Sequence, residues 1–156
     1  MTKQLYVIAA VCLWLLSACQ SSTYKYEAVY KDLPFDMPRV EAPKFPDRKV
    51  NLADFGAVGN GEELCTAAFA KAIDALAEKG GGHLIVPAGV WFTGPIVLKS
   101  NIDLHLEKGA VILFSPDVDL YPLVETVFEG LDTRRCQSPV SGRNLENVRS
   151  EEHTSE

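Results

Sequence analysis

One apolar pattern occurs twice in this chain, twenty residues apart, and it restricts the fold more than any other feature of the sequence. Leu84 and Val86 recur as Leu104 and Leu106. A fixed period of about twenty residues, with short β-type runs between turn residues, is typical of a solenoid of stacked coils. The sequence therefore predicts a parallel β-helix. The same spacing relates Gly89 to Gly109 and residues 90–92 to residues 110–112.

One amphipathic helix is predicted before the coils. Residues 66–78 are rich in alanine, and Phe69, Ile73 and Leu76 fall at helical spacing on one face. The glycines at 80–82 end this helix, and we expect it to cover the open end of the first coil, because solenoids need capped ends. Strands are predicted at residues 50–55, 83–86, 90–93, 96–98, 102–106 and 110–114, and residues 144–148 echo residues 101–104 as the beginning of a further coil.

Strict alternation in residues 102–107 predicts which side chains face the core of the coil. The outward row has residue types that bind metals, but a solvated sheet face explains it equally well. We therefore predict neither a metal nor a cofactor. The residues predicted to point inward are Ile102, Leu104 and Leu106, and those predicted to point outward are Asp103, His105 and Glu107.

Composition limits the class of partner. The chain has 156 residues, 47% of them apolar, which fits one globular domain. Its net charge of −6 argues against nucleic acid or an anionic membrane surface as the main partner, since both bind clustered Lys and Arg. A few local cations can still hold a long anionic polymer.

The N-terminus is predicted to direct the protein to the cell envelope. Lys3 precedes an apolar run over residues 5–16, and Leu16-Ser17-Ala18-Cys19 resembles a bacterial lipobox. We expect residues 1–18 to be a signal peptide and Cys19 to carry a lipid in the outer membrane or periplasm; secretion is the alternative localisation. A membrane anchor is the other reading of the run, which is shorter than the roughly 20 residues that span a bilayer. Prolines make residues 19–48 a tether.

The last eight residues, 149–156, are predicted to be non-native. Their sequence Arg-Ser-Glu-Glu-His-Thr-Ser-Glu is the translation of AGA TCG GAA GAG CAC ACG TCT GAA, the start of a widely used sequencing-library adapter. The alternative is a native acidic tail. If residues 149–156 are non-native, residues 49–148 are the N-terminal part of a β-helix domain, whose last coil leaves a sheet edge unpaired. We then expect the chain to associate or to be marginally stable.

Several motifs resemble one protein class. Asp-Phe-Gly-Ala-Val-Gly-Asn-Gly at 54–61, the glycines at 80–82 and Val-Pro-Ala-Gly at 86–89 resemble the opening segment of pectin-lyase-like proteins. Residues 93–101 and 104–110 resemble the polygalacturonases of glycoside hydrolase family 28 more narrowly. The resemblance implies a mainly β chain, a right-handed parallel β-helix with an N-terminal capping α-helix, truncated after the first coils. Leu64-Cys65 departs from the acidic residue that often precedes the helix in that family.

The family resemblance also implies a function for the full-length protein. Polygalacturonases hydrolyse α-linked galacturonan in pectin with inversion, using carboxylates roughly 6.5–9.5 Å apart. Their Asn-Thr-Asp, Asp-Asp, Gly-His-Gly and Arg-Ile-Lys motifs do not occur in this sequence, so no catalytic residue is transferred and the chain alone is expected to be inactive. The expected partner is pectic polysaccharide or an oligogalacturonide, bound by a protein that is monomeric at full length. The alternatives are a non-catalytic glycan-binding or spike-like module and another pectin-lyase-like polysaccharide enzyme.

Other side chains qualify as contacts without a defined site. Arg134 and Arg135 are the candidate contact for a uronate carboxylate, because guanidinium groups bind carboxylates in a fork. Trp91 and Phe92 can stack on sugars, although alternation places one of them in the core. A disulfide between Cys65 and Cys136 requires a geometry that sequence does not give, and we predict that they are not bonded. The carboxylates Asp117, Asp119, Glu125, Glu129 and Asp132 fall in loop-like sequence and are interpreted as solvating charges.

Overall fold

The computed structural model describes residues 30–39 and 42–152. The chain divides into two compact units, residues 1–41 and 42–156. Within the first unit the guanidinium of Arg39 lies 4.5 Å from the ring centre of Tyr30. The predicted signal peptide, Cys19 and residues 153–156 lie outside the described residues. No helix in the described part of the chain is long and apolar enough to cross a membrane.

In the second unit, the described residues 42–152 form short strands, one α-helix and two short 3-10 helices. Three of its sheets are parallel and one is an antiparallel hairpin. The strands are β1 Lys49–Asn51, β2 Gly82–Val86, β3 Gly89–Thr93, β4 Ile96–Val97, β5 Ile102–Leu106, β6 Ala110–Phe114, β7 Leu123–Phe128, β8 Leu131–Cys136, β9 Val140–Ser141 and β10 Arg149–Glu152; helix α1 is Thr66–Ala77, and the 3-10 helices are Leu52–Phe55 and Val118–Leu120.

The right-handed parallel β-helix is confirmed. Strands β1, β2, β5 and β10 form one parallel sheet in that order, β3 pairs with β6, and β4 pairs with β9. Leu84 pairs with Leu104 and Val86 with Leu106, which is the predicted register. In the next sheet Gly89 pairs with Ala110 rather than with Gly109. The turn before β6 contains one more residue than the turn before β3, so the period increases by one residue there.

The residues predicted to begin a further coil, 144–148, form no strand; the strand that continues the coil is β10, within the residues predicted to be non-native, and the alignment differs from the predicted one by three residues. Asn147, not Asn144, stands at the level of Asn101, since Arg149 pairs with Asp103. Both asparagines have positive φ, 62° at Asn101 and 51° at Asn147, and the Asn147 side chain donates a 3.1 Å hydrogen bond to that of Asn101. Asparagine tolerates the left-handed region better than other non-glycine residues. Asn144 also has positive φ, so strand pairing and the side-chain hydrogen bond identify Asn147 as the equivalent residue.

Helix α1 covers the end of the first coil as predicted. Phe69, Ile73 and Leu76 are buried on its inner face. Cys65 occupies the N-cap, and its side chain makes no capping hydrogen bond to the helix, which agrees with the missing acidic residue. After the helix, the amide of Gly81 donates to the carbonyl of Leu76 at 2.8 Å, and Gly80 and Gly81 both adopt positive φ. The left-handed turn directs the chain into β2.

The strand predicted over residues 50–55 ends after Asn51. The carboxamide of Asn51 accepts a 2.9 Å hydrogen bond from the amide of Ala53, which starts the first 3-10 helix. Gly56 closes that helix with φ of 85°. A side chain that caps the backbone locally competes with a strand ladder. Leu52, fully buried, is part of the apolar core of the coil.

Residues 42–48, at the end of the predicted tether, contact the outside of the β-helix. The carbonyl of Arg48 accepts a hydrogen bond from the amide of His83 at 2.7 Å. The Arg48 guanidinium donates to the carbonyls of Lys79 and Gly81. The ring of Phe45 meets that of His83 edge to face, with centroids 5.8 Å apart. This segment therefore has a fixed path along the sheet.

Candidate functional site

A groove of about 880 Å³ lies between a projecting hairpin and the side of the coil. Strands β7 and β8 form the hairpin, which interrupts the coil between β6 and β9. A tight turn at Glu129 and Gly130, both with positive φ, joins the two strands. The amide of Gln137 donates to the carbonyl of Pro122 at 2.9 Å and closes the base of the hairpin. The groove is thus a product of the inserted hairpin.

Arg135 belongs to the hairpin wall of this groove. It pairs across the hairpin with Val124, and both side chains line the groove with Thr126. The guanidinium carbon of Arg135 lies 4.3 Å from the ring centre of Phe128, a distance typical of a cation–π contact. Among the described residues, Arg135 has no carboxylate partner in an ion pair. Its guanidinium is therefore positioned by an aromatic ring, and Arg135 is one of the residues that line the groove.

Arg134 lies on the other face of the same strand. Successive residues of a strand point to opposite faces, and Arg134 pairs across the hairpin with Glu125. Its guanidinium contacts the Glu125 carboxylate at 3.0 Å on the exposed face. The structure thus separates the two arginines that the sequence brought together. Only Arg135 is in the groove.

The coil wall supplies two further cations. Lys99, just after β4, contacts the Asp74 carboxylate of helix α1 at 2.7 Å. Arg143, just after β9, donates to the backbone carbonyl of Glu125 and so ties the coil to the hairpin. Between them, the side-chain amide of Gln137 donates to the hydroxyl of Ser141 at 3.0 Å. Of these contacts, the one made by Arg143 joins the two walls of the groove.

The electrostatic character of the groove differs from that of the whole chain. Lys99, Arg135 and Arg143 line it, and among the described residues no carboxylate does. The chain as a whole has a net charge of −6. An isolated group of cations in an acidic chain attracts an anionic ligand locally and adds specificity to the encounter. The groove is therefore suited to an anion.

The sequence did not indicate this groove. Lys99 is distant from Arg135 in sequence, and the pairing of β4 with β9 beside the inserted hairpin brings Lys99, Arg135 and Arg143 together. The hairpin itself was interpreted as loop, although its period-two alternation around Glu129-Gly130 is a signal that can identify a two-residue turn. Of the five carboxylates assigned to loops there, Glu125 lies in β7 and Asp132 in β8.

A second polar cluster lies on the outer face of the four-stranded sheet and corrects one prediction. Asp103 faces away from the core, but it is fully buried rather than solvated. One of its oxygens lies 2.6 Å from Nδ1 of His83, and Arg149 donates to both oxygens at 2.9 Å. Phe45 lies beside these groups, 5.3 Å from the Arg149 guanidinium carbon. The alternation of residues along β5 predicts the direction of the Asp103 side chain, but it does not predict which side chains cover it.

The charge of Asp103 is stabilised by these partners. Burial by itself raises the pKa of Asp103, but hydrogen bonds and positive charge from Arg149 and His83 outweigh burial and hold the pKa below its usual value of 3.8. Arg149 belongs to the residues that we predict to be non-native, so this contact is a property of the present chain. No group of three or more metal-binding side chains occurs in the described part of the chain.

The aromatic and cysteine candidates have structural positions. Trp91 is buried, and its indole nitrogen donates to the carbonyl of Pro87 at 2.8 Å. Phe92 is half-buried on the opposite face of β3. Cys65 is buried and Cys136 exposed, and both are free thiols. Trp91 therefore serves the core and is not a sugar-stacking residue.

Comparison with known proteins identifies the class of this β-helix. No protein-family model matches the chain. A probable polygalacturonase of Vitis vinifera is 39% identical over 106 residues, which is 63% of this chain and 22% of that protein. The structure of an exopolygalacturonase from Thermotoga maritima is 47% identical with a TM-score of 0.68, over 72% of this chain and 25% of that one. The chain resembles the polygalacturonases of glycoside hydrolase family 28.

Further matches agree on the fold and show how widely the segment is used. The family 28 exopolygalacturonase of Yersinia enterocolitica is 30% identical with a TM-score of 0.63, over 69% of this chain and 20% of that one. The plasmin and fibronectin-binding protein A of Streptococcus pneumoniae is 33% identical over 106 residues, 67% of this chain and 14% of that protein. The chain thus spans a quarter or less of these relatives and structures.

Proposed function

We propose that this chain is part of a polygalacturonase-type glycoside hydrolase that cleaves α-linked galacturonan in pectin with inversion. The observation that carries the proposal is the 47% identity and TM-score of 0.68 with an exopolygalacturonase over 72% of the chain. The cationic groove, in a chain of net negative charge, is consistent with an anionic polymer as substrate. The aspartate motifs of the family do not occur in this sequence, so the proposal assigns no catalytic residue to this chain.

The test of this proposal is hydrolysis by the product of the full-length gene. We expect that product to release reducing ends from polygalacturonate, and proton NMR of the first products to show the inverted anomer, as carboxylates separated by a water molecule require. The present chain of 156 residues is the matched control and should release none. A full-length product that cleaves neither polygalacturonate nor its oligomers would refute the proposal.

Attachment to the cell envelope through Cys19 is part of the proposed function. The lipobox-like Leu16-Ser17-Ala18-Cys19 supports it, and we place the enzyme in the outer membrane or periplasm. Labelling of cells with a radioactive fatty acid should mark the protein, and Cys19→Ala should abolish the label and release the protein into the soluble fraction. Equal labelling of both forms would contradict the anchor.

A second candidate is a non-catalytic binding module. The match to the plasmin and fibronectin-binding protein A supports it, since a segment of the same length occurs in a protein named for binding. A binder has no need of clustered aspartates in later coils. The hydrolysis assay therefore separates the two candidates, because a module binds without releasing reducing ends.

A further inference from the structure

We infer that the groove between the hairpin and the coil binds carboxylates of an extended acidic glycan, with Arg135 as the residue that recognises a uronate. This inference rests on the proposed function for the identity of the glycan, galacturonan. It assigns a binding site to the present chain, independent of any catalytic group. Arg134 has no part in it.

Arg135 is available to a ligand, whereas the neighbouring cations already have partners. Arg143 already donates to the Glu125 carbonyl, and Lys99 is paired with Asp74. Arg134 is paired with Glu125 on the opposite face. Arg135 contacts a ring instead of a carboxylate. A guanidinium that is positioned without being neutralised retains its donors for a planar anion, which it binds with two parallel hydrogen bonds.

Phe128 positions the guanidinium of Arg135. It lies at the end of β7, half-exposed, with the Arg135 guanidinium over its ring. An exposed arginine loses rotamer freedom when it binds a ligand, and stacking removes part of that cost beforehand. The tight turn at Glu129 and Gly130 holds the ring at the tip of the hairpin. We therefore expect affinity to depend on an aromatic side chain at position 128.

The side chains that line the groove indicate the kind of ligand it binds. The groove is lined by cations from both walls and by hydroxyl and amide groups such as those of Thr126, Ser138 and Gln137. Hydroxyl and amide groups suit the hydroxyls of a sugar, while cations on two walls suit carboxylates repeated along a chain. A neutral glycan can form hydrogen bonds with the hydroxyl and amide groups but has no carboxylates for the cations. Affinity should therefore require negative charge and decrease with ionic strength, because exposed charges are screened by salt.

The experiment is native affinity electrophoresis of the purified chain in gels that contain polygalacturonate, alginate or neutral galactan. We expect polygalacturonate to retard the chain and galactan to leave its mobility unchanged. Arg135→Ala should weaken the binding about tenfold, as expected for the loss of a charge-assisted hydrogen-bonding group. Arg134→Ala is the matched control, since it removes the same charge from the same strand on the other face, and it should change affinity less than about twofold.

A second pair of variants tests the positioning role. Phe128→Leu should weaken binding several-fold. Phe128→Tyr should keep the affinity of the unaltered chain, because a tyrosine ring also accepts a cation. A purely structural role of Phe128 would instead lower the midpoint of urea unfolding along with affinity in both variants. Residue-by-residue labelling with an arginine-specific dicarbonyl reagent gives a readout that tolerates association of the chain. Polygalacturonate should protect Arg135 and leave Arg134 reactive.

The possible outcomes separate this inference from the proposed function. Retardation by alginate but not by polygalacturonate, with the same dependence on Arg135, supports a uronate-binding groove and refutes galacturonan as its ligand. The inference is overturned if neither polygalacturonate nor alginate retards the chain. It is also overturned if Arg134→Ala and Arg135→Ala weaken the retardation equally. The proposed function is then decided by hydrolysis with the full-length product, which does not depend on this groove.

Discussion

Two adjacent glycines after helix α1 offer a sharp test of how the coils stack. Gly80 and Gly81 both have positive φ, 87° and 107°. A methyl group added at Gly80 would meet nothing within 4 Å, whereas one at Gly81 would lie 2.3 Å from the carbonyl oxygen of Asn101. That carbonyl accepts a 2.9 Å hydrogen bond from Gly82 and so has little freedom to move. The two positions differ in contact with the next coil, not in the sign of φ.

The free-energy costs of Gly80→Ala and Gly81→Ala have different sources. Gly80→Ala incurs the left-handed backbone cost of about 1–2 kcal/mol, reduced by the lower entropy of the unfolded chain to about 1 kcal/mol. Gly81→Ala incurs the same backbone cost, and the clash adds roughly 1–3 kcal/mol for overpacking and about 1 kcal/mol for a weakened hydrogen bond. We therefore expect Gly81→Ala to destabilise the chain by about 3–5 kcal/mol.

The assay is urea unfolding of the two variants followed by far-ultraviolet circular dichroism under identical conditions. Gly80→Ala should lower the midpoint slightly, and Gly81→Ala should lower it by several times as much or prevent accumulation of soluble protein. The yield of soluble chain is the readout in that case. Equal effects of the two substitutions would refute the register in which Gly81 stacks on Asn101.

Two other predictions concern the polar cluster and the core. Asp103→Asn should lower stability by about 2 kcal/mol at pH 7, since it removes a buried charge from two partners. Because the folded pKa of Asp103 lies below its unfolded value, its contribution is present above about pH 4 and is lost as the pH falls through the folded pKa. Unfolding midpoints between pH 2 and 7 should therefore vary less with pH in Asp103→Asn; an unchanged slope would contradict this. Trp91→Phe should cost about 1–2 kcal/mol through the lost hydrogen bond to Pro87, whereas an unchanged urea midpoint would show that this bond contributes nothing.

Sequence periodicity predicted the coils well because each coil obeys the same local rule. Leu84 and Leu104 must both point inward, so the twenty-residue spacing determines the register of β2 and β5. The rule failed where a turn changed length. Val90 pairs with Val111 because the turn before β6 has an extra residue, and apolar residues on both sides of such a turn leave a shift of one position undetected.

The site was predictable only in part, because it depends on contacts between distant segments. Arg135 was identified as a candidate from its chemistry, but its separation from Arg134 follows from strand pairing with Glu125. Lys99 and Arg143 carried no local signal, and their approach to the hairpin depends on the pairing of β4 with β9. The burial of Asp103 likewise depends on Phe45 and Arg149, which lie on either side of it in sequence. Alternation along a strand gives orientation, but neighbours across the fold decide exposure.

The measurement that tests the account most directly is to amplify and resequence the source DNA across the codon for Val148. The account predicts that reading continues beyond Val148 without residues 149–156, into further coils that contain the paired aspartates of an inverting hydrolase. A native gene that stops after Glu156 would contradict both the adapter origin of the tail and the hydrolase function, and it would leave a binding module as the role of this chain.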